Sequence, residues 1–194
     1  SIEGNSPALA AAMDGMKESL EIIRILGKAG ANLNESNIIY TPLVYAIQKS
    51  NAELVQALLD AGADPNAPTA GGQLPLEQAI NEPKILLLLL KAKADPNKSV
   101  GTGDSALISA VRNSNQEAVK ILLGAGADTN KVDQYGKTPL EIAEQNYQTE
   151  IAALLRPKGA AAEPAAAADA QFAGAPIPIG SKNGGCTVVD AAKM

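Results

Sequence analysis

One closing phrase recurs four times along this chain. It reads Gly30-Ala31-Asn32-Leu33-Asn34, then Gly62-Ala63-Asp64-Pro65-Asn66, Lys93-Ala94-Asp95-Pro96-Asn97 and Gly126-Ala127-Asp128-Thr129-Asn130. An opening phrase alternates with it, starting at Thr41, Leu74, Ser105 and Thr138, so that the steps from opener to opener are 33, 31 and 33 residues. A fixed period of this size marks a stack of supersecondary units, each too small to bury its apolar side alone. The period therefore excludes a single closed core and demands that neighbours cover one another.

The physics of one unit is legible between Thr41 and Asn66. Pro42 suits the first turn of a helix, where its missing N–H leaves nothing unpaired, and Thr41 before it is a capping residue. A polar turn at Lys49, Ser50 and Asn51 predicts the end of this first helix. A second helix is predicted from about Ala52 to Asp60, with Leu54, Val55, Leu58 and Leu59 on one stripe and Gly62 as a left-handed cap.

The unit resembles the ankyrin repeat, whose signature is Thr-Pro-Leu-His-x-Ala at a period of 33 residues. Thr41-Pro42-Leu43-Val44-Tyr45-Ala46 and Thr138-Pro139-Leu140-Glu141-Ile142-Ala143 match it apart from the His. The resemblance covers Ser6 to Arg156. It implies an all-α ankyrin-repeat solenoid of about five helix-turn-helix repeats, at about 6–34, 41–66, 74–97, 105–130 and 138–156, within a domain of residues 1–157. Residues 158–176 then read as an Ala- and Pro-rich linker. Residues 177–194 read as a C-terminal tail. It is either a terminus without order or a hairpin around Asn183-Gly184 whose apolar residues pack on the solenoid, near Leu87, or on a partner.

Several positions depart from the repeat. In the first repeat, counting back from Gly30 puts Ile22, Ile23 and Leu26 on the buried stripe, and extra residues fall near Asp14-Gly15-Met16. The connection Glu35 to Tyr40 carries Ile38, Ile39 and Tyr40 where polar tips are usual, as a packing adjustment or as an apolar contact patch. The third repeat is two residues short near Glu82-Pro83, aligns Leu87 with the outward Arg24, Gln56 and Lys120, and puts Lys93 in place of the cap glycine. The family's buried His is replaced by Val44, Glu77, Ile108 and Glu141, so its bond from Thr is lost or remade. Arg156 and Pro157 close the last repeat.

Chemistry has little to stand on. The chain has no histidine, and its one cysteine, Cys186, has no partner thiol. No catalytic residue, metal site or cofactor is expected, and the chain is read as a non-enzyme. Asp64, Asp95 and Asp128 are turn residues. Asn34 and Asn97 have the form of glycosylation acceptors but, as closing residues, are expected to bond the neighbouring turn. Gly101-Thr102-Gly103-Asp104-Ser105-Ala106 imitates a dinucleotide loop without the strand and βαβ unit such a loop needs. A net charge of −5 argues against nucleic acid. The apolar run Ile85 to Leu90 is far short of the ~20 residues a bilayer requires, so no membrane insertion is expected.

What remains is a surface. The resemblance implies a concave face built from turn tips and the exposed sides of the first helices. Its tip residues are Asn37, Ile38 and Tyr40, then Gln73, then Thr102 and Asp104, then Gln134, Tyr135 and Lys137. Its helix residues are Gln48 and Lys49, Asn81 and Glu82, Arg112 and Asn113, Gln145 and Asn146. Tyr40, Arg112 and Tyr135 are the expected anchors, since Tyr and Arg are favoured in that role. The expected function is to bind one protein partner, an enzyme, as a monomer when free. By analogy with small bacterial ankyrin proteins, this is an inhibitor or immunity-type protein restraining a bacterial enzyme such as a periplasmic cell-wall hydrolase. The chain opens at Ser1, which suggests trimming or a removed leader, hence a periplasmic or secreted location, with the cytoplasm as alternative. The alternative function is an adaptor that joins two partners through the repeats and the tail.

Overall fold

Short helices in pairs are what capped, Ala- and Leu-rich segments of seven to nine residues allow. The computed structural model describes residues 6–14, 17–37, 39–100 and 104–156, and these form ten α-helices and no strand. They are α1 (Pro7–Asp14), α2 (Lys17–Lys28), α3 (Pro42–Gln48), α4 (Ala52–Asp60), α5 (Pro75–Gln78), α6 (Pro83–Lys91), α7 (Ala106–Arg112), α8 (Gln116–Gly124), α9 (Pro139–Gln145) and α10 (Thr149–Leu155). Ile38, Thr102, Cys186, the linker and the tail lie outside the described residues.

Each pair is started and stopped by named groups. Thr41 Oγ1 accepts from Val44 N at 3.2 Å, with Pro42 in the first turn, and Asn51 Oδ1 accepts from Leu54 N at 3.0 Å. Ser105 and Asn115 do the same for α7 and α8. Thr138 and Glu141 form a reciprocal capping box on α9, so at this repeat the carboxylate that replaces the family's His remakes the bond from Thr. Gly62 ends α4 at φ 97°, and Ala63 N then reaches back to Leu58 O at 2.9 Å. Lys93 adopts the same left-handed turn at φ 71°, where an L side chain is strained.

Two rows result. The first helices α1, α3, α5, α7 and α9 pack one on the next, and so do the second helices α2, α4, α6, α8 and α10. Leu43, Ile47, Leu58, Ile80, Ile85, Leu86, Leu89, Leu107, Ile108 and Leu122 are fully buried along the continuous core between the rows. A ladder of asparagine amides binds the closing turns together. Asn34 Oδ1 accepts from Asp64 N at 2.8 Å, Asn66 Oδ1 from Asp95 N at 2.8 Å, and Asn97 Oδ1 from Asp128 N at 2.7 Å. Asn66 and Asn97 also donate forward, to Lys93 O at 3.2 Å and Gly126 O at 3.1 Å. Asp64, Asp95 and Asp128 each accept from the N–H two residues on, which holds the turn that presents the asparagine.

Three departures foreseen above take physical form. α5 is a single turn, and neither Leu74 nor Glu82 supplies a side-chain cap to the helix it precedes. Leu87 faces outward. In the first repeat α2 begins at Lys17, which absorbs the extra residues. One expectation is corrected: Ile23 is buried, but Ile22 is 43% exposed. Its counterparts Leu54, Ile85, Ala118 and Ile151 are all buried, because a preceding repeat helps cover them.

Close approach of α2 to the end of α4 depends on Gly27. A Cβ there would lie 2.6 Å from the carbonyl oxygen of Ala61 and 2.7 Å from its Cβ. Gly27→Ala is therefore expected to lower unfolding stability by about 1–3 kcal/mol. Lys93→Gly is expected to raise it by about 0.5–1 kcal/mol, since it relieves a left-handed L residue. Urea titration followed by circular dichroism measures both.

Candidate protein-binding face

The row of first helices ends, at one side, in loop tips held by side-chain oxygens. Asn37 Oδ1 accepts from Ile39 N at 2.9 Å and Tyr40 N at 2.7 Å. Thr69 Oγ1 accepts from Gln73 N at 3.1 Å. Asp133 Oδ1 accepts from Tyr135 N at 2.8 Å and Lys137 N at 2.9 Å. Three different residue types thus do one job, each satisfying the N–H groups of its own tip. The first two tips are also joined, since Ala70 N donates to Ser36 Oγ at 3.1 Å.

Side chains of the row meet within and across repeats. The Tyr40 and Tyr45 rings stand edge to face with centroids 5.8 Å apart, and Lys49 Nζ lies 5.4 Å from the Tyr45 centroid. Ser50 Oγ donates to Glu82 at 2.6 Å. Asn115, which caps α8, donates to Ile80 O at 2.8 Å and reaches Asn81. Lys137 Nζ donates to Gln145 at 2.7 Å. Arg112 is held by two carboxylates at once, Asp104 at 2.7 Å through Nε and Asp133 at 2.5 Å through Nη2. Of the three expected anchors, then, Tyr135 is open at 70% exposure, Tyr40 is half-buried against Tyr45, and Arg112 ties two tips together. Ile39 is exposed beside Tyr40. Gln48, Lys49, Gln73, Asn81, Arg112, Asn113, Gln134, Gln145 and Asn146 are exposed, while Asn37, Glu82, Asp104 and Lys137 are half-buried.

Two aromatic residues of this region were missed by the sequence reading. Tyr45 lies four residues before Lys49, so helical spacing alone puts both on one face. Tyr147 is 90% exposed at φ 56°, in the helix–helix turn position that Ser50 and Ser114 occupy in two other repeats. Its register with those serines was the available signal.

The carboxylates differ in environment. Asp133 is held below the usual aspartate range by the backbone N–H of Lys137, then that of Tyr135, with Arg112 adding to them against the cost of burial. Glu141 is lowered by its bonds to Thr138. Glu77 stands on α5 at the family's His position, and burial pushes it up, with Asp104 adding to the rise against a bond from the Leu74 backbone. Among the described residues no group of His, Cys, Asp or Glu is placed to hold a metal ion. No helix of the described residues is long and apolar enough to cross a membrane.

Stacked helix pairs, a turn ladder and a variable row of exposed polar and aromatic residues define a repeat protein that works through its surface. The comparisons agree on which one: a family model described as ankyrin repeats (3 copies) matches residues 1–69 and 76–165, and the chain belongs to the ankyrin repeat family. Ankyrin repeats mark a protein–protein interaction module. An ankyrin repeat protein of Fowlpox virus is 32% identical over 130 residues, 66% of this chain and 19% of the viral protein. Protein PhlB of Serratia liquefaciens is 38% identical over 106 residues, 53% of this chain and 47% of PhlB. Cyclin-dependent kinase inhibitor 2A of Homo sapiens is 32% identical over 116 residues, 59% of this chain and 74% of the inhibitor. The chain thus spans about a fifth of the viral relative and about half of PhlB.

The carboxylate environments carry a pH signature. The Asp133 value in the folded state lies below the ordinary one, so its stabilisation is complete above about pH 4 and is lost as pH falls through the folded value. Asp133→Asn is expected to be less stable than wild type at pH 7 and to close that gap on acidification. Glu77 has the opposite sign: its folded value is raised, so its carboxylate begins to oppose folding as pH rises past the ordinary glutamate value, and the cost is complete above the folded value. Glu77→Gln is expected to raise the melting temperature at pH 7. Thermal melts across the acid range check both.

Proposed function

We propose that this chain binds one protein partner on the face made by its tips and first helices, and that the partner is an enzyme it restrains. The observation that carries this reading is the cross-linked row itself. Tyr40 with Tyr45 and Lys49, Ser50 with Glu82, and Arg112 with Asp104 and Asp133 fix an amide- and tyrosine-rich surface before any partner arrives. A surface ordered in advance loses less side-chain freedom on binding, which favours a stable complex over a transient one. Restraint of an enzyme is favoured by the likeness to a human protein named as a kinase inhibitor, three quarters of which this chain spans. A bacterial setting is favoured by the likeness to a protein of Serratia liquefaciens, and a periplasmic cell-wall hydrolase as the enzyme rests on analogy with small bacterial ankyrin proteins. The periplasm or the exterior is the proposed compartment and the cytoplasm its alternative, which fractionation distinguishes.

The anchors of this reading are Tyr40 and Tyr135, and Arg112 acts by holding the tips in place. The test is capture of the partner by the full chain, followed by titration of the purified pair with the partner's activity as readout. A 1:1 complex with lowered activity is expected. Tyr40→Ala with Tyr135→Ala should weaken binding by about 2 kcal/mol or more, roughly 30-fold, while the helical fold is retained by circular dichroism at the assay temperature. Binding unchanged by the double variant would move the site off this face. A bound partner with undiminished activity would end the inhibitor reading and leave an adaptor. Deletion of residues 158–194 would then show whether the tail holds a second protein.

A further inference from the structure

We propose that two copies of this chain meet on the outer faces of α4 and α6, with α6 of each copy lying on α4 of the other. The two helices differ at matching positions. Where Ile25, Leu88 and Ile121 stand in α2, α6 and α8, α4 carries Ala57, and where Leu20 stands in α2 it carries Ala52. The missing side chains leave a hollow of about 380 Å3 along α4, with Leu20 and Arg24 on one bank and Lys84 and Leu88 on the other. Beside it α6 raises a knob. Leu87 is 54% exposed, at the position that Arg24, Gln56 and Lys120 hold in the other second helices. A hollow with small apolar residues and an apolar knob beside it are two halves of one contact. Both lie inside the array, with α2 before them and α8 after.

The charges select a second copy and its direction. α4 turns Glu53 and Asp60 outward, and α6 turns Lys84 and Lys91 outward at the same two levels. Among the described residues no ion pair takes up any of the four. A two-fold axis parallel to the helices and midway between α4 and α6 sets Lys84 of each copy against Glu53 of the other, and Lys91 against Asp60. Leu87 then enters the hollow over Ala57, beside Gln56, which is held to Asp60 at 2.7 Å. An antiparallel contact would instead face Glu53 with Asp60 and Lys84 with Lys91. The patch is self-complementary in the first arrangement and not in the second, as an isologous contact demands. α2 falls opposite α8 of the copy. There Glu21 and Arg24, paired at 3.7 Å, meet Glu117 and Lys120 level for level, like against like. That confines the contact to two helices per copy and makes it weak. This assigns a dimer where the sequence reading expected a monomer, and it leaves the tips and first helices of each copy open.

Sedimentation of the full chain tests the proposal directly. The wild type should pass from monomer to dimer between about 10 µM and 1 mM, the range for an interface of this small size, and less readily at high salt. Leu87→Glu alters an exposed residue and should keep the helical fold by circular dichroism, yet dimerise at least tenfold more weakly. Ala57→Leu fills the hollow with the residue that α6 carries there and should weaken the dimer likewise. Charge reversal checks the register. Glu53→Lys with Asp60→Lys, and separately Lys84→Glu with Lys91→Glu, should each lose the dimer, whereas all four substitutions together should restore it. A wild type that stays monomeric up to about 1 mM overturns the proposal and gives the hollow to another occupant, residues 177–194 of this chain or a different protein. So does a dimer that Leu87→Glu leaves intact, which places the contact elsewhere, and so does a quadruple variant that folds but stays monomeric.

Discussion

Each helix pair in this chain leaves an apolar stripe that only its neighbour can cover. Each unit is therefore held by its neighbours, and the register between them must be kept closely. Two devices hold it. Gly27 lets the backbone of α2 come against Ala61 with no side chain between. The asparagine ladder from Asn34 through Asn66 to Asn97 then fixes the spacing of the closing turns, each amide satisfying a backbone N–H of the next repeat. Both act at the edge of the second-helix row. The tips and first helices are thereby left with a fixed frame on which residues can vary.

That division explains what was legible in the sequence. The period, the cap at Thr41, the turn at Asn51, the openers at Ser105 and Thr138, and the role of Asn34 and Asn97 are local or repeat at fixed intervals, so they could be read directly. Contacts along the tip face join residues whose pairing depends on how far one repeat is offset from the next. Arg112 was read as an open cation, yet it is taken up by Asp104 and Asp133, eight residues before it and 21 after. Ser50 with Glu82 spans 32 residues in the same way. Ile22 was assigned to the core by alignment, which cannot register that the first repeat has no predecessor among the described helices. Its exposure is a property of position in the stack and not of the local pattern.

Fold and function are linked here through rigidity more than through chemistry. The tip face offers no metal-holding cluster among its described residues, but it offers amides, tyrosines and paired charges in fixed places. Such a surface discriminates partners by shape and by which polar groups it leaves to be satisfied. Tyr147, open at the far end of α9 from Tyr135, extends that surface beyond the tips.

The third repeat gives the array an uneven grain. Its first helix is one turn long, its two helices lack side-chain caps, and its closing turn strains Lys93. In a one-dimensional array stability is a sum over units and their contacts, so openings begin where that sum is smallest. The stack has a built-in parting line between α4 and α7. Under tension or protease attack it would separate there first, into an N-terminal piece bearing the Tyr40–Tyr45 pair and a C-terminal piece bearing the Arg112 clamp and Tyr135.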